Sequence, residues 1–212
     1  MSIVDLLEER NKVQAKISGV MIGIVTNNQD PDKLGRVKVK FPRISGEDES
    51  NWARVISFMA GKERGAFFLP EVDDEVLVAF EYGDINMPYI IGSLWNGVDK
   101  PPETNTDGKN NKRVIKSRSG HIIRLNDEDG KEKIEIIDKS EKNLISIDTK
   151  ENKITISSDK DIEISARNGK VKIEAKDIEI KSSASTKVEA SAGMDLKASG
   201  NMTVKGATVN IN

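Results

Sequence analysis

From about residue 113 to the end, the chain alternates in short apolar–polar–apolar units. They read Ile134–Ile136, Leu144–Ile147, Ile154–Ile156, Ile162–Ile164, Val171–Ile173, Ile178–Ile180, Val188–Ala190, Leu196–Ala198, Met202–Val204 and Val209–Ile211. The units start at spacings of about 6 to 10 residues, with Asp, Asn, Lys, Ser or Gly between them. Period-2 alternation is the mark of a half-buried strand. A fixed short repeat predicts a stack of such strands rather than a sandwich.

Before residue 99 the pattern differs. Arg36–Phe41 alternates strictly, with Val37, Val39 and Phe41 on one side and Arg36, Lys38 and Lys40 on the other. Further strands are predicted over 17–26, 52–57, 75–82 and 89–94. Gly46, Gly61, Gly65, Pro70, Gly83 and Pro88 separate them. Five or so short strands in this span predict a small barrel of the OB type over residues 16–98. Residues 2–14 are predicted to form an amphipathic helix, with a capping box from Ser2 to Asp5 and Ile3, Leu6 and Leu7 on one face. That face docks either on its own domain or on another subunit. Residues 99–112, with two prolines and no large apolar residue, are predicted to be a linker.

Composition sharpens the division. All nine aromatics lie between Phe41 and Trp95, and all six prolines lie at or before Pro102. The aromatic set is expected to fill the barrel core, since rings bury the largest areas. Residues 113–212 cannot build an ordinary core alone. A unit near eight residues supplies one strand and one corner, so a closed core needs strands from other chains. Three chains wound together give a triangular prism, each contributing a strand to each face in turn. Its narrow axis has no room for rings, and its ladder tolerates no proline. The fold class is therefore all-β: an N-terminal helix, an OB-type barrel, then an intertwined triple-stranded β-helix formed as a homotrimer. Expected axial residues are Ile154, Ile156, Ile162, Ile164, Ile178, Ile180, Val188, Leu196 and Val204.

Charge excludes more than it offers. The net charge is −2, and the span 131–181 holds 12 basic and 12 acidic residues, which reads as a solvated face and not as a nucleic-acid track. There is no Cys, so no disulfide framework or thiolate metal site is available. The longest apolar run, about residues 17–25, is too short to span a bilayer, and the polar, acidic N-terminus is not a signal peptide. The single His121 stands beside Gly120 at a strand start and reads as structural. Asn126–Gly130 reads as a turn and does not match a calcium loop. No catalytic or phosphate-binding motif is present, so neither enzyme activity, cofactor nor metal is expected.

Several segments together resemble a known family. Gly23–Thr26 (GIVT), Asp32–Val39 (DKLGRVKV), Trp52–Val55 (WARV), Gly65–Phe80 (GAFFLPEVDDEVLVAF), Gly83–Asp84 and Pro88–Gly97 (PYIIGSLWNG) resemble the OB domain of VgrG and phage baseplate spike proteins. Ser117–His121 and Asp127–Ile137 resemble that family's passage into its triple-stranded β-helix. The resemblance covers about residues 18–212. It implies a homotrimeric central spike of a contractile injection machine, assembled in the bacterial cytoplasm, that punctures a target envelope when a sheath contracts. It implies a separate hub protein above the barrel, met by Ile3, Leu6 and Leu7, because the long N-terminal hub region of VgrG is missing. It implies a PAAR-repeat tip protein seated on Ala207, Thr208, Val209, Asn210, Ile211 and Asn212. No inserted lysozyme domain is present, so no cell-wall hydrolysis is implied. The competing readings are an OB module binding nucleic acid or carbohydrate on a trimeric stalk, and a carbohydrate-active β-helix. The first needs exposed aromatics for base stacking, whereas those of the barrel cluster with aliphatics as core residues do. The second needs carboxylate pairs on an exposed groove and sugar-stacking aromatics, and the rod has no aromatic.

Overall fold

The computed structural model describes residues 16–210. The helix expected over 2–14, with Ile3, Leu6 and Leu7, and the last two tip residues, Ile211 and Asn212, lie outside them. The chain divides into two compact units, one ending at Asp161 and the other starting at Ile162. The fold is all-β, and the one helical turn among the described residues is Glu81–Gly83. No helix among them is long and apolar enough to cross a membrane.

The first unit opens with a barrel built from β1 (Val20–Asn27), β2 (Arg36–Phe41), β4 (Ala53–Val55), β7 (Glu75–Phe80) and β8 (Pro88–Ser93). The order β1-β7-β8-β4-β2 closes on itself through a β1–β2 pairing, and β3 (Ser45–Glu49) adds on β2. Only β4 and β8 run parallel; the other pairs are antiparallel. Five short strands closed in this Greek-key order make an OB-type barrel. Alternation sets its inside: Val37, Val39 and Phe41 of β2, and Val76, Val78 and Phe80 of β7, are buried with Val25, Ala53 and Ile90. Each such side chain contributes about 1.5–3 kcal/mol on leaving water. Phe41 and Phe80 meet with ring centroids 5.6 Å apart. Gly23 faces the same interior, where a Cβ would lie 3.1 Å from Val78 Cγ2 and 3.2 Å from Val39 Cβ.

The loop from β1 to β2 is held by one carboxylate. Asp30 accepts the backbone N–H groups of Asp32, Leu34 and Arg36, and also Nε and Nη2 of Arg36 at 2.9 and 2.7 Å. The expectation that the aromatics fill the core is corrected here. Phe41 and Phe80 are buried, whereas Phe58, Phe67, Phe68, Tyr82 and Trp95 are exposed. Nine core positions, two of them phenylalanine, fill the five-stranded barrel, and these five exposed rings sit in its loops, where alternation does not reach. Phe58, Phe67 and Phe68 flank a hairpin of β5 (Ala60–Gly61) and β6 (Arg64–Gly65), two-residue strands too short to show a pattern.

The same unit ends in a separate five-stranded antiparallel sheet. β9 (Lys112–Lys116), β10 (Ile122–Asn126), β11 (Lys133–Ile137), β12 (Leu144–Asp148) and β13 (Lys153–Ser157) pair consecutively, each with the next. For these strands the expectation of one strand to each face in turn is corrected. Strand starts 9 to 11 residues apart fit either arrangement, but the connections reverse the chain. Asp138 accepts the backbone N–H of Ser140 and of Asn143, while Glu141 and Asn152 take positive φ of 60° and 49° in two of the turns.

Candidate functional site

The two faces of the β9–β13 sheet differ in chemistry: one is aliphatic, the other mixed and charged. On one face two columns run straight across all five strands. Ile115, Ile123, Ile136, Ile145 and Ile156 are directly paired in the first. Leu125, Ile134, Ile147 and Ile154 are directly paired in the second, capped by Arg113 on β9. All nine aliphatic side chains are exposed. Facing pairs of this type reinforce a sheet, and the register cannot slip by one residue without exchanging the two faces.

The opposite face carries paired charges at its centre, beside the aliphatic Val114, Ile122, Ile137 and Leu144. Arg124 Nη2 lies 2.8 Å from Glu135 Oε2 across β10 and β11, and Lys133 Nζ lies 2.8 Å from Asp148 Oδ2 across β11 and β12. The Lys133–Asp148 pair raises the lysine's proton affinity and lowers the carboxylate's, chiefly through their mutual hydrogen bond. At the end of the aliphatic column Arg113 pairs with Asp127 at 2.5 Å. Charges that neutralise one another next to water mark a solvated face, and each exposed pair contributes little to stability.

Beyond Ile162 the chain keeps the alternation but not the pairing. No strand is formed among the described residues of this second unit, and its side chains are exposed throughout. Ion pairs between residues two apart show the local geometry: Lys172 with Glu174, Lys181 with Glu179 at 2.5 Å, and Lys187 with Glu189 at 2.6 Å. Residues i and i+2 share a face only in extended chain. Ile173, Ile180 and Val188 lie between or beside these charges in sequence, at positions of the opposite parity. Of the expected axial set, Ile154 and Ile156 stand on the aliphatic face of the sheet. Ile162, Ile164, Ile178, Ile180, Val188, Leu196 and Val204 stand exposed in this extended stretch, as do the expected tip residues Ala207 to Asn210.

Other candidate chemistry is absorbed locally. Arg36 and Lys38, basic side chains on the outer side of β2, are tied to carboxylates: Arg36 to Asp30 and Asp32, Lys38 to Glu49 at 3.0 Å. Both also lie over the Trp52 ring, at 5.9 and 5.6 Å from its centroid. The Lys38 hydrogen bond lowers the Glu49 carboxyl below its ordinary range. His121 Nδ1 accepts the Lys139 backbone N–H at 3.2 Å, and Ser117 Oγ accepts the His121 N–H at 3.0 Å, so the imidazole braces a turn. No group of three or more His, Asp or Glu side chains among the described residues could hold a metal ion.

A closed OB-type barrel is followed in sequence by a one-sided aliphatic ladder. Comparison with known families gives the same order. Residues 21–95 match the type VI secretion system/phage-baseplate injector OB domain. Residues 116–212 match an uncharacterised protein family conserved in bacteria, DUF2345. The chain is similar to the type VI secretion system spike protein VgrG3 of Vibrio cholerae, 34% identical over 112 residues, 49% of this chain and 11% of the relative. It is similar to the spike protein VgrG1a of Pseudomonas aeruginosa, 30% identical over 149 residues, 64% of this chain and 23% of the relative. It is also similar to the actin cross-linking toxin VgrG1 of Vibrio cholerae, 32% identical over 132 residues, 56% of this chain and 12% of the relative. The chain therefore spans less than a quarter of the length of these relatives. Over these segments the chain is similar to VgrG-type baseplate spike proteins.

Proposed function

We propose that three copies of this chain form the central spike of a contractile injection machine. The aliphatic face of the β9–β13 sheet carries the reading. A single-chain surface with nine aliphatic side chains in two registered columns is an interface waiting for its other half. Three such faces turned toward one axis bury one another and leave the paired charges of the opposite faces in water. The segment from Ile162 onward supports the same arrangement. Its backbone donors and acceptors have almost no partner within the unit; the Gly169 N–H to the Ala166 carbonyl is one at 3.3 Å. Buried backbone groups need partners, and strands from two other copies supply them while hiding Ile164, Ile173, Ile180 and Val204. On this reading residues 16–98 are the OB domain, 99–112 a linker and 113–212 the spike.

The role is mechanical and not enzymatic. About ten stacked strands at 4.8 Å give a rod of roughly 45–50 Å. A rod with its edges covered transmits axial force from a contracting sheath to a narrow tip. On this reading a hub protein sits above the barrel, reached by Ile3, Leu6 and Leu7. A PAAR-repeat protein sits on Ala207–Asn212. The particle assembles in the bacterial cytoplasm, and contact with the target envelope is transient. An exposed OB groove for nucleic acid finds no support on β2, whose Arg36 and Lys38 already hold carboxylates. Pull-down of a PAAR-repeat protein by the full chain tests the tip assignment: binding is expected, and it is lost on deleting Ala207–Asn212. Undiminished binding after that deletion contradicts it.

A further inference from the structure

We infer that the β5–β6 hairpin of each copy is a knob that seats on the outer face of the neighbouring copy's barrel, so that the barrels form a ring of their own. This rests on the three-copy reading and names a second contact within it.

The knob is built rigidly. The Ala66 N–H donates to the Met59 carbonyl at 3.0 Å, and Ser57 Oγ lies 2.9 Å from the Met59 carbonyl and 2.8 Å from that of Ala66. Gly65 has φ +156°, and a Cβ there would stand 2.7 Å from the Met59 carbonyl oxygen, so the hairpin closes tightly only with glycine. One residue beyond the Met59–Ala66 bond stand Phe58 and Phe67, with Phe68 next to them. The three are 87, 77 and 65% exposed. Rings of this size bury about 150–250 Å² each, so together they offer roughly 450 Å² of apolar surface. With a matching area on the other side, that approaches the roughly 1,000 Å² expected of a specific contact. A preorganised loop loses little entropy on docking.

The receiving surface is the outside of β1, β7 and β8. Val20 stands opposite Ala79, and Ile22 opposite Leu77. Val20 and Ile22 are exposed, and Ile91 is exposed where the β7–β8 register shifts. These are aliphatic positions on the water side of a barrel whose inner side is already filled by Val25, Val76 and Val78. Symmetry selects the occupant. A closed ring of three identical chains cannot use one self-complementary patch; it needs two different surfaces on each chain that fit each other. The barrel carries two apolar surfaces of different shape, a projecting aromatic knob and a flat aliphatic face.

The chain has no native cysteine, which makes the test direct. Full-length protein carrying both Phe58→Cys and Ile22→Cys, treated with a short bis-maleimide, is expected to give a covalent three-chain species on a denaturing gel. Each single variant is expected to give only monomer. Phe68→Cys with Val20→Cys is the second pair, for the case that the first misfolds. Phe58→Asp with Phe67→Asp is expected to raise the concentration at which the assembly dissociates by about tenfold or more. An assembly that keeps three chains by light scattering, shows no inter-chain cross-link with either pair and is unmoved by the aspartates overturns the knob contact. It then leaves the knob to a different protein, or the sheet face to residues 1–15, while the three-copy reading stands. A purified chain of monomer mass overturns both.

Discussion

Ile136 on β11 stands directly opposite Ile145 on β12, and in the single chain the two are 50 and 44% exposed. Across the thickness of the same sheet, the neighbouring Glu135 is held by Arg124 at 2.8 Å. The pair thus separates a face that has found its partners from one that has not. Ile136→Asp is expected to place a carboxylate on each of three facing sheets, costly without compensation. The mass by light scattering should fall from three chains to one. Ser146→Asp, on the charged face, should leave it unchanged.

The same logic applies further along the chain with less in-chain support. Ile164→Asp and Ile180→Asp are expected to abolish the assembly as well. A heat-stable three-chain species carrying either substitution shows that the residue faces outward.

Hydrogen exchange should separate the two parts of the molecule. In the intact assembly, amides of residues 162–210 are expected to be protected by strands of other copies. In Ile136→Asp, amides of β1, β2 and β7 should stay protected, because their partners are within the chain. Those of 162–210 should exchange at rates near those of an unfolded chain. Persistent protection there in a monomer contradicts the need for other copies.

Asp30 is the anchor of the β1–β2 loop. Its hydrogen bonds from Arg36 and three backbone N–H groups hold its carboxyl well below the usual carboxylate range. A lowered folded-state value contributes stability that is full above the unfolded value, about pH 4. That contribution is lost as pH falls from there through the folded value. Melting temperature should therefore drop between about pH 4 and pH 2 in the wild type. Asp30→Asn should lower it by roughly 5 °C at neutral pH and flatten that dependence. An unchanged acid limb in the variant assigns the loss to other carboxylates.

Gly23→Ala tests the barrel interior. A methyl group 3.1 Å from Val78 and 3.2 Å from Val39 must push two buried side chains apart. The expected cost is about 1–3 kcal/mol, read as a shift of the denaturation midpoint of the barrel without change in slope.

Much of this architecture was legible in the residues, and the failures have physical reasons. Strict alternation over Arg36–Phe41 marks both the strand and its buried side, since burial of every second residue leaves no other periodicity. The aliphatic ladder was legible for the same reason, and Ile154 and Ile156 do share one face. Alternation is blind to which strand pairs with which. A meander in one chain and a winding of three chains use the same apolar–polar period, so the antiparallel pairing of β9 to β13 depends on turns such as Asp138–Asn143, whose signal is a few polar residues. The aromatics were misplaced because composition reports how many rings there are but not their side. Phe58, Phe67 and Phe68 sit around two-residue strands that carry no periodicity, and only the adjoining glycines Gly61 and Gly65 hinted at a tight hairpin.

The number of chains decides the account. Static light scattering of the full-length protein, at neutral pH and without partners, measures it directly. Three chains of 23.4 kDa, about 70 kDa, is the mass expected. A single species at 23.4 kDa with the far-UV spectrum of a folded protein contradicts it, because the nine exposed aliphatics and the unpaired stretch beyond Ile162 would then have no one to cover them.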